Sequence, residues 1–351
     1  MSAVPLTRAE LVEAPDDLDE LIEFFHARRW SDGLPVVPPT RERVERMLSC
    51  TTRKPDEVVA NMAPGFGVAT VERIAINAVM AGCRADYLPV LIAATQAMTA
   101  TEFNLQGIQA TTNPVAVWLV INGPIAEQLG VNGGMNCMGQ GTVANATLGR
   151  ALRLILQNVG GALPGEMDRA THGMPGKFSF CCAENEGQSP WEPLHVERGY
   201  RRDQSTVTVI GAAGTHNMNT HAENADELIR VIADTMAFPG SNDYWISGEP
   251  WLVIGPQHAE ILRVGGLSKA DVKRRLWEES KMSASRMAKI DFARTRTARS
   301  NQLGPITAET LLPISDGPEG VGIIVAGGPG THSVYVASFG DARAVTREVL
   351  D

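Results

Sequence analysis

The chain has 351 residues, 44 % hydrophobic and 20 % charged, with a formal net charge of −9; that is enough apolar material for a sizeable core and too much for extended disorder. No Lys/Arg cluster flanked by aromatic residues occurs in it, so an anionic nucleic-acid backbone or membrane surface would be repelled. No apolar run reaches the roughly eighteen residues of a membrane span, and small molecules or other proteins are the expected partners.

The opening stretch MSAVPLTRAELVEAPDDLDE is acidic and lacks the basic start and apolar run of a secretory signal, which sets the expectation of a cytoplasmic protein. Residues 18–29 place Leu18, Leu21, Ile22 and Phe25 on one helical face behind a first turn rich in Asp and Glu. The pattern stops at WSDGLP. Residues 35–39 hold too much proline for a helix, and Thr40 is a natural N-cap for a second one reaching about residue 50. Residues 1–59 therefore read as an N-terminal helical arm. Residues 71–98 continue as helix, broken near Gly82 and Pro89.

Two pairs of segments then match in the same order. WLVINGPIAEQL (118–129) and WLVIGPQHAEIL (251–262) are each an apolar strand opened by Trp, a Gly-Pro break and an Ala-Glu entry into helix; TVIGAAGTH (208–216) and IVAGGPGTH (324–332) each end in Gly-Thr-His. The pattern predicts an α/β fold of two related halves from an internal duplication, residues 60–220 and 221–351. The competing account is that strands running into glycine turns resemble one another in many α/β proteins. On the duplication, His216 and His332, preceded by Thr215 and Thr331, hold equivalent strand ends, where open α/β sheets bind ligands.

In the first half Asn132, Gly133, Gly134, Asn136, Gly139 and Gly141 form a glycine-rich loop feeding a helix that begins near Ala144. Free N–H groups at such a helix start suit a carboxylate or phosphate. The spacing is neither a Walker loop nor a dinucleotide fingerprint, and a tight turn without a ligand reads equally well. Cys137, inside this loop, is the second-choice reactive thiol.

The stretch FSFCCAENEGQSPW (178–191) follows. Alternation from Lys177 to Cys182 puts Phe178, Phe180 and Cys182 on one face and Lys177, Ser179 and Cys181 on the other. Cys182 is then a packing thiol, and Cys181 is the candidate thiolate, its pKa lowered by Lys177. Downstream Glu184, Glu186, Glu192, His195, Glu197 and Arg198 supply the parts of a proton relay; the blander account is a solvated loop around Trp191. The five cysteines, with Cys50 and Cys83, contain no CxxC pair, so free thiols in a reducing compartment are expected.

Metal chemistry is the alternative for the histidines. His216, His221 and His332, with Glu223 or Asp226 nearby, offer ligands suited to zinc or iron, although His216 and His221 lack a helical i, i+4 or strand i, i+2 spacing. The basic stretch KRRLWEESKMSASRMAK (273–289) reads as a solvated helix face.

At WSDGLPVVPP, IAINAVMAGCRADYLPV, SPWEPLHVERG and ANATLGRALRLILQNVGG the chain resembles a family of largely uncharacterised bacterial proteins linked with the UGSC-motif family, whose members can carry selenocysteine. The resemblance implies thiol or selenol chemistry, with a partner subunit, and no established reaction. In that family's motif one cysteine precedes Ala-Glu-Asn at the place matched by Cys181, and the next position is apolar; Cys182 departs from the pattern.

These readings combine into a cytoplasmic, oligomeric enzyme with Cys181 as thiolate, Lys177 depressing its pKa, and His195 or His216 moving protons beside Glu184 and His332. The glycine loop would hold the anionic group of a small organic substrate, and the chemistry would be redox or thiol addition, with an oxidoreductase favoured. No cofactor is specified by the residues. The alternatives are a metal-assisted hydrolase or lyase on His216, His221 and His332, and a non-catalytic subunit of a two-protein complex.

Overall fold

Residues 9–350 are described by a computed structural model of the chain. Asp17 and Thr40 cap α1 (Leu18–Ala27) and α2 (Arg41–Leu48), their side-chain oxygens accepting from first-turn N–H groups. These helices do not stand off as an arm. Leu21, Phe25, Val44 and Met47 enter the same core as the helices that follow, and WSDGLP is tied down by Arg150, which clasps Asp32 in two bonds of 2.8 Å. Gln157 and Asn158 add bonds of 2.9 Å to the carbonyls of Ser31 and Trp30.

A hairpin of β1 (Val58–Met62) and β2 (Gly67–Thr70) leads into α3 (Val71–Ala81), α4 (Leu88–Met98) and α5 (Leu105–Ala110). Gly82, at φ +86°, ends α3 and Pro89 opens α4, the break that the sequence implies. Then come β3 (Ala116–Asn122), α6 (Pro124–Leu129), the glycine loop, α7 (Val143–Asn158), β4 (Cys181–Ala183), α8 (Leu194–Glu197) and β5 (Thr206–Asn219). The rest is α9 (Ala225–Met236), α10 (Asn242–Ile246), β6 (Trp251–Ile254), α11 (Pro256–Val264), α12 (Lys269–Glu279), β7 (Met282–Ser283), α13 (Lys289–Leu303), β8 (Leu311–Leu312), β9 (Gly322–Val325), β10 (His332–Ser338) and β11 (Val345–Glu348).

The fold is mixed α/β. Its main sheet runs β4-β3-β5-β10-β6-β9, with β11 added beside β5. The outermost pairs, β3 with β4 and β6 with β9, are parallel, and the inner pairs are antiparallel. The two WLVI strands, β3 and β6, thus hold matching places one in from each edge. The second sequence match does not follow this order: TVIGAAGTH lies in β5, whose counterpart by position is β10, whereas IVAGGPGTH lies in β9 and the turn after it, whose counterpart is β4. His216 and His332 are therefore not at equivalent sites. In the β5–β10 register His216 faces Tyr335, and His332 faces Asn219.

The sheet curls until its edges meet. Past the ends of β4 and β9, Asn185 N–H donates to Val325 O at 2.7 Å, and Gly327 N–H donates to Gly133 O at 2.9 Å. Alternate residues of the six strands (Trp118, Val120, Cys182, Ile210, Trp251, Val253, Ile324, Val336) fill the interior of this curl. The residues between them point outward into two helix-covered cores. On β3 and β4 these are Leu119, Ile121 and Cys181, packed against α3, α4 and α7; on β6 and β9 they are Leu252, Ile254, Ile323 and Val325, packed against α9, α11 and α12. Trp118 stacks on Phe180 at 5.2 Å and meets Trp251 edge-on at 6.1 Å, closing the interior.

Candidate functional site

Cys181 is not the exposed thiol that alternation implied. It is 4 % exposed and belongs to the core under α3, α4 and α7, where burial pushes its thiol well above the ordinary value. Lys177 serves another group: its Nζ donates to both carboxylate oxygens of Asp168 at 2.6 and 2.8 Å, and Arg153 lies 3.5 Å from the same carboxylate. The physical reason is that β4 is covered on both faces, so alternation separates two apolar environments rather than an apolar and a polar one. The strand is also shorter than expected. Residues 175–177 form a 3-10 turn, and Phe178 is 52 % exposed, while Phe180 and Cys182 do share the interior.

The thiols that come together are Cys182 and Cys137. Cys182 points into the curl with no exposed surface, and Cys137, 5 % exposed, reaches the same interior from the glycine loop. Cys182 and Cys137 share this interior with Trp118, whose indole N–H has no hydrogen-bond partner, and the main-chain N–H groups of Cys137, Met138 and Gly327 lie around the Cys137 sulfur. Those of Cys137 and Gly327 make their main bonds to Gly134 O and Gly133 O at 3.1 and 2.9 Å, so they act on the sulfur as shared donors. The interaction with Cys182, more than these amides, holds the Cys137 thiol below its ordinary value despite burial, and the same interaction raises Cys182 well above its own.

The loop is built to place Cys137. Asn145, in the first turn of α7, accepts from Asn132 N–H at 2.8 Å and donates to the carbonyls of Asn132 and Cys137, both at 2.9 Å. Asn132 Oδ1 accepts from Gly134 N–H at 2.8 Å, Asn136 adopts φ 57° and donates to Gln140 O at 2.8 Å, and Gly139 N–H returns to Asn136 O at 2.9 Å. Gly133 has no room for a side chain, since a Cβ there would sit 2.7 Å from Ala183 O. Gly141, at φ +114°, turns the chain into α7, whose N-cap Thr142 makes no side-chain bond. The first-turn N–H groups of α7 thus have no side-chain acceptor from their cap.

Glu184 and His195 lie together next to this pair, in a buried polar cluster. Glu184 Oε2 accepts from Asn122 Nδ2 at 2.6 Å and from Leu194 N–H at 2.7 Å, and Glu186 Oε1 accepts from Gly123 N–H at 2.7 Å and from Asn122 Nδ2 at 3.0 Å. His195 Nδ1 is 3.7 Å from Glu186 Oε1. Burial raises the Glu184 carboxyl, opposed by Lys269, Leu194 N–H and Asn122. Four atoms of the cluster, Asn122 Oδ1, Glu184 Oε1, His195 Nδ1 and Thr206 Oγ1, are buried without a hydrogen-bond partner. Leu194, bonded to Glu184, also packs in the interior that holds Cys137 and Cys182. Further along the same motif the charges are structural: Glu197 pairs with Lys269 at 2.7 Å and with Lys273, and Arg198 pairs with Glu249 at 2.9 Å.

The histidines divide into two places. His332 and His221 sit near His258, with Thr331 Oγ1 3.1 Å from His221 Nδ1. Both ring nitrogens of buried His258 are engaged, by Ser333 Oγ at 2.8 Å and Thr220 O at 3.1 Å; burial, more than the neighbouring imidazoles, lowers its pKa. His216 and Thr215 instead line a cavity of about 560 Å³ under α9 and α10. Among the described residues no group of three or more His, Cys, Asp or Glu is arranged to hold a metal ion, so the His216, His221 and His332 set expected for a metal does not assemble. The residue whose surroundings sequence reasoning did not foresee is Cys137. Its signal was its place inside the glycine loop; what was missing was that β4 delivers Cys182 to it.

Among the described residues no helix is long and apolar enough to cross a membrane. No protein-family model matches the chain, and no curated protein matches it.

Proposed function

We propose that this chain is a thiol-dependent oxidoreductase acting on a small, anionic organic substrate, with Cys137 as the attacking thiolate and Cys182 as its resolving partner. The observation that carries the reading is the packing of Cys137 and Cys182 in one buried cluster inside the curled sheet, where their interaction lowers one thiol and raises the other. The chemistry follows from that asymmetry. Cys137 S⁻ attacks an electrophilic sulfur or oxygen of the substrate and expels its leaving group, giving a Cys137 adduct; Cys182 then loses its proton, attacks the Cys137 sulfur and expels the second fragment. Two thiols become one disulfide, and the two electrons they lose reduce the substrate. A second, adjacent thiol favours this redox course over simple thiol addition.

The Glu184–Glu186–His195 cluster is the proton acceptor for Cys182 on this reading, and the open N–H groups at the head of α7 receive the substrate's anionic group. The resemblance to the UGSC-linked family supports thiol chemistry, although at Cys137 rather than at the motif cysteine. Five free thiols suit a reducing compartment, and a UGSC-type partner subunit would supply the reductant that reopens the disulfide.

Mild oxidation of the purified protein followed by non-reducing peptide mapping tests the assignment. A single linked pair containing Cys137 and Cys182 is expected. Linkage of Cys181 to any thiol, or no linkage while Cys137 remains free, contradicts it.

A further inference from the structure

The cavity of about 560 Å³ beside α9 and α10 lies outside the thiol site and is unused by the proposed reaction. Its size is that of a small-molecule pocket. His216, Thr235, Phe238, Ser241, Tyr335 and Ser338 line it, and no Lys or Arg does. His216 and Tyr335 are there because they face one another across the β5–β10 ladder, on the side of the sheet turned away from the curl interior.

Behind the wall is Asp243, with no exposed surface. It accepts from Tyr335 OH at 2.8 Å, Ser241 Oγ at 2.9 Å, Ser338 N–H at 3.3 Å and Ser338 Oγ. The Ser338 N–H must donate to the carboxylate and the three hydroxyls can, which favours the ionised acid against the burial that raises this carboxyl above its ordinary value. The arrangement also fixes which way the hydroxyls point. With their O–H groups directed at Asp243, the oxygens of the nearly buried Tyr335, Ser241 and Ser338 keep acceptor capacity alone. Ser241 Oγ and Ser338 Oγ each accept one main-chain N–H, from Asp243 at 3.2 Å and from Glu249 at 2.9 Å, and each keeps a further lone pair.

Acceptor oxygens backed by a buried carboxylate, in a lining that holds no Lys or Arg, favour a ligand that brings donors and positive charge. Phe238 adds an aromatic ring, set edge-to-face on Tyr335 at 6.1 Å, and a ring beside such a charge stabilises it further. Arg286 donates to Ala237 O and Arg299 to Tyr244 O, both at 3.1 Å, and neither lines the cavity. The chain's net charge of −9 acts in the same sense.

We propose that this cavity binds a small organic cation, an ammonium with an apolar body, through the acceptor oxygens of Tyr335, Ser241 and Ser338 and the ring of Phe238.

The test uses three probes of one shape on the full chain, cyclohexylammonium, cyclohexanol and cyclohexanecarboxylate, with binding followed by NMR titration. The ammonium is expected to bind, the alcohol about tenfold more weakly or worse, and the carboxylate not at all. Asp243→Asn should reduce ammonium binding about tenfold. Because Asp243→Asn can also disturb folding, Gly214→Leu is the second variant: Gly214 lines the cavity with nothing within 4 Å of a Cβ added there, so this change fills the space without straining the backbone and should abolish binding. Failure of the ammonium to bind, equal or tighter binding of the alcohol or carboxylate, or unchanged ammonium binding in folded Gly214→Leu overturns the proposal. None of these readouts involves a cysteine, so they stand or fall apart from the thiol assignment.

Discussion

Cys182 and Cys137 pack in one buried cluster inside the curled sheet, so a strand residue and a loop residue 45 positions apart in sequence form one dithiol pair, and their interaction lowers the Cys137 thiol and raises that of Cys182. The pair exists because two separate devices converge: the parallel addition of β4 to β3, which turns Cys182 inward, and the Asn145 bracket, which holds the carbonyls of Asn132 and Cys137.

The interaction with Cys182 separates two substitutions. Cys182→Ala removes the interaction that most lowers the Cys137 pKa, and each unit of upward shift cuts the Cys137 thiolate fraction at neutral pH about tenfold. Cys182→Ser keeps a donor and should retain most of the Cys137 reactivity. Thiolate absorbance titrated against pH in both variants checks this; a Cys137 titration midpoint that does not move in Cys182→Ala would remove Cys182 from the account.

Lys177 is expected to matter for stability and not for thiol reactivity. In Lys177→Met the Asp168 carboxylate, 4 % exposed, keeps Arg153 at 3.5 Å and the Ala170 N–H at 3.2 Å, and loss of one partner of a buried pair costs about 3 kcal/mol. Urea unfolding should show that loss, with Cys137 alkylation unchanged. Slower alkylation with unaltered stability would restore the original role of Lys177.

Glu184 gives a pH signature. Its folded-state carboxyl is raised above the ordinary value of 4.5, chiefly by burial. The folded state therefore holds that proton more tightly than the unfolded chain, and the contribution is full below 4.5 and lost as pH rises through the folded value. Glu184→Gln keeps the acceptor and removes the titration, so its urea midpoint should fall less than that of the unaltered protein as pH rises through that window. Parallel pH profiles for the two proteins would contradict a buried, raised Glu184.

Local signals in the sequence carried far. The N-cap of α2, the break between α3 and α4 at Gly82 and Pro89, and the start of α7 within a residue of Ala144 all follow from capping and periodicity, which act over a few residues. The WLVI match found the two strands that hold corresponding sheet positions. What failed was everything set by sheet order. Whether Cys181 or Cys182 faces a polar layer depends on what covers each side of β4, and the resemblance of TVIGAAGTH to IVAGGPGTH says nothing of which strands are neighbours. His216 and His332 were parted for the same reason, and so was Lys177 from Cys181.

The central claim is that Cys137 is the reactive thiol, and iodoacetamide alkylation with peptide mapping as a function of pH tests it most directly. Cys137 should be modified first among the five cysteines, half-maximally below the ordinary thiol value of 9.0, while Cys181, which Cys181→Val should replace at a cost under about 1.5 kcal/mol, stays unlabelled in the folded protein. Labelling of Cys181 ahead of Cys137, or equal sluggishness of both across the pH range, would contradict the account.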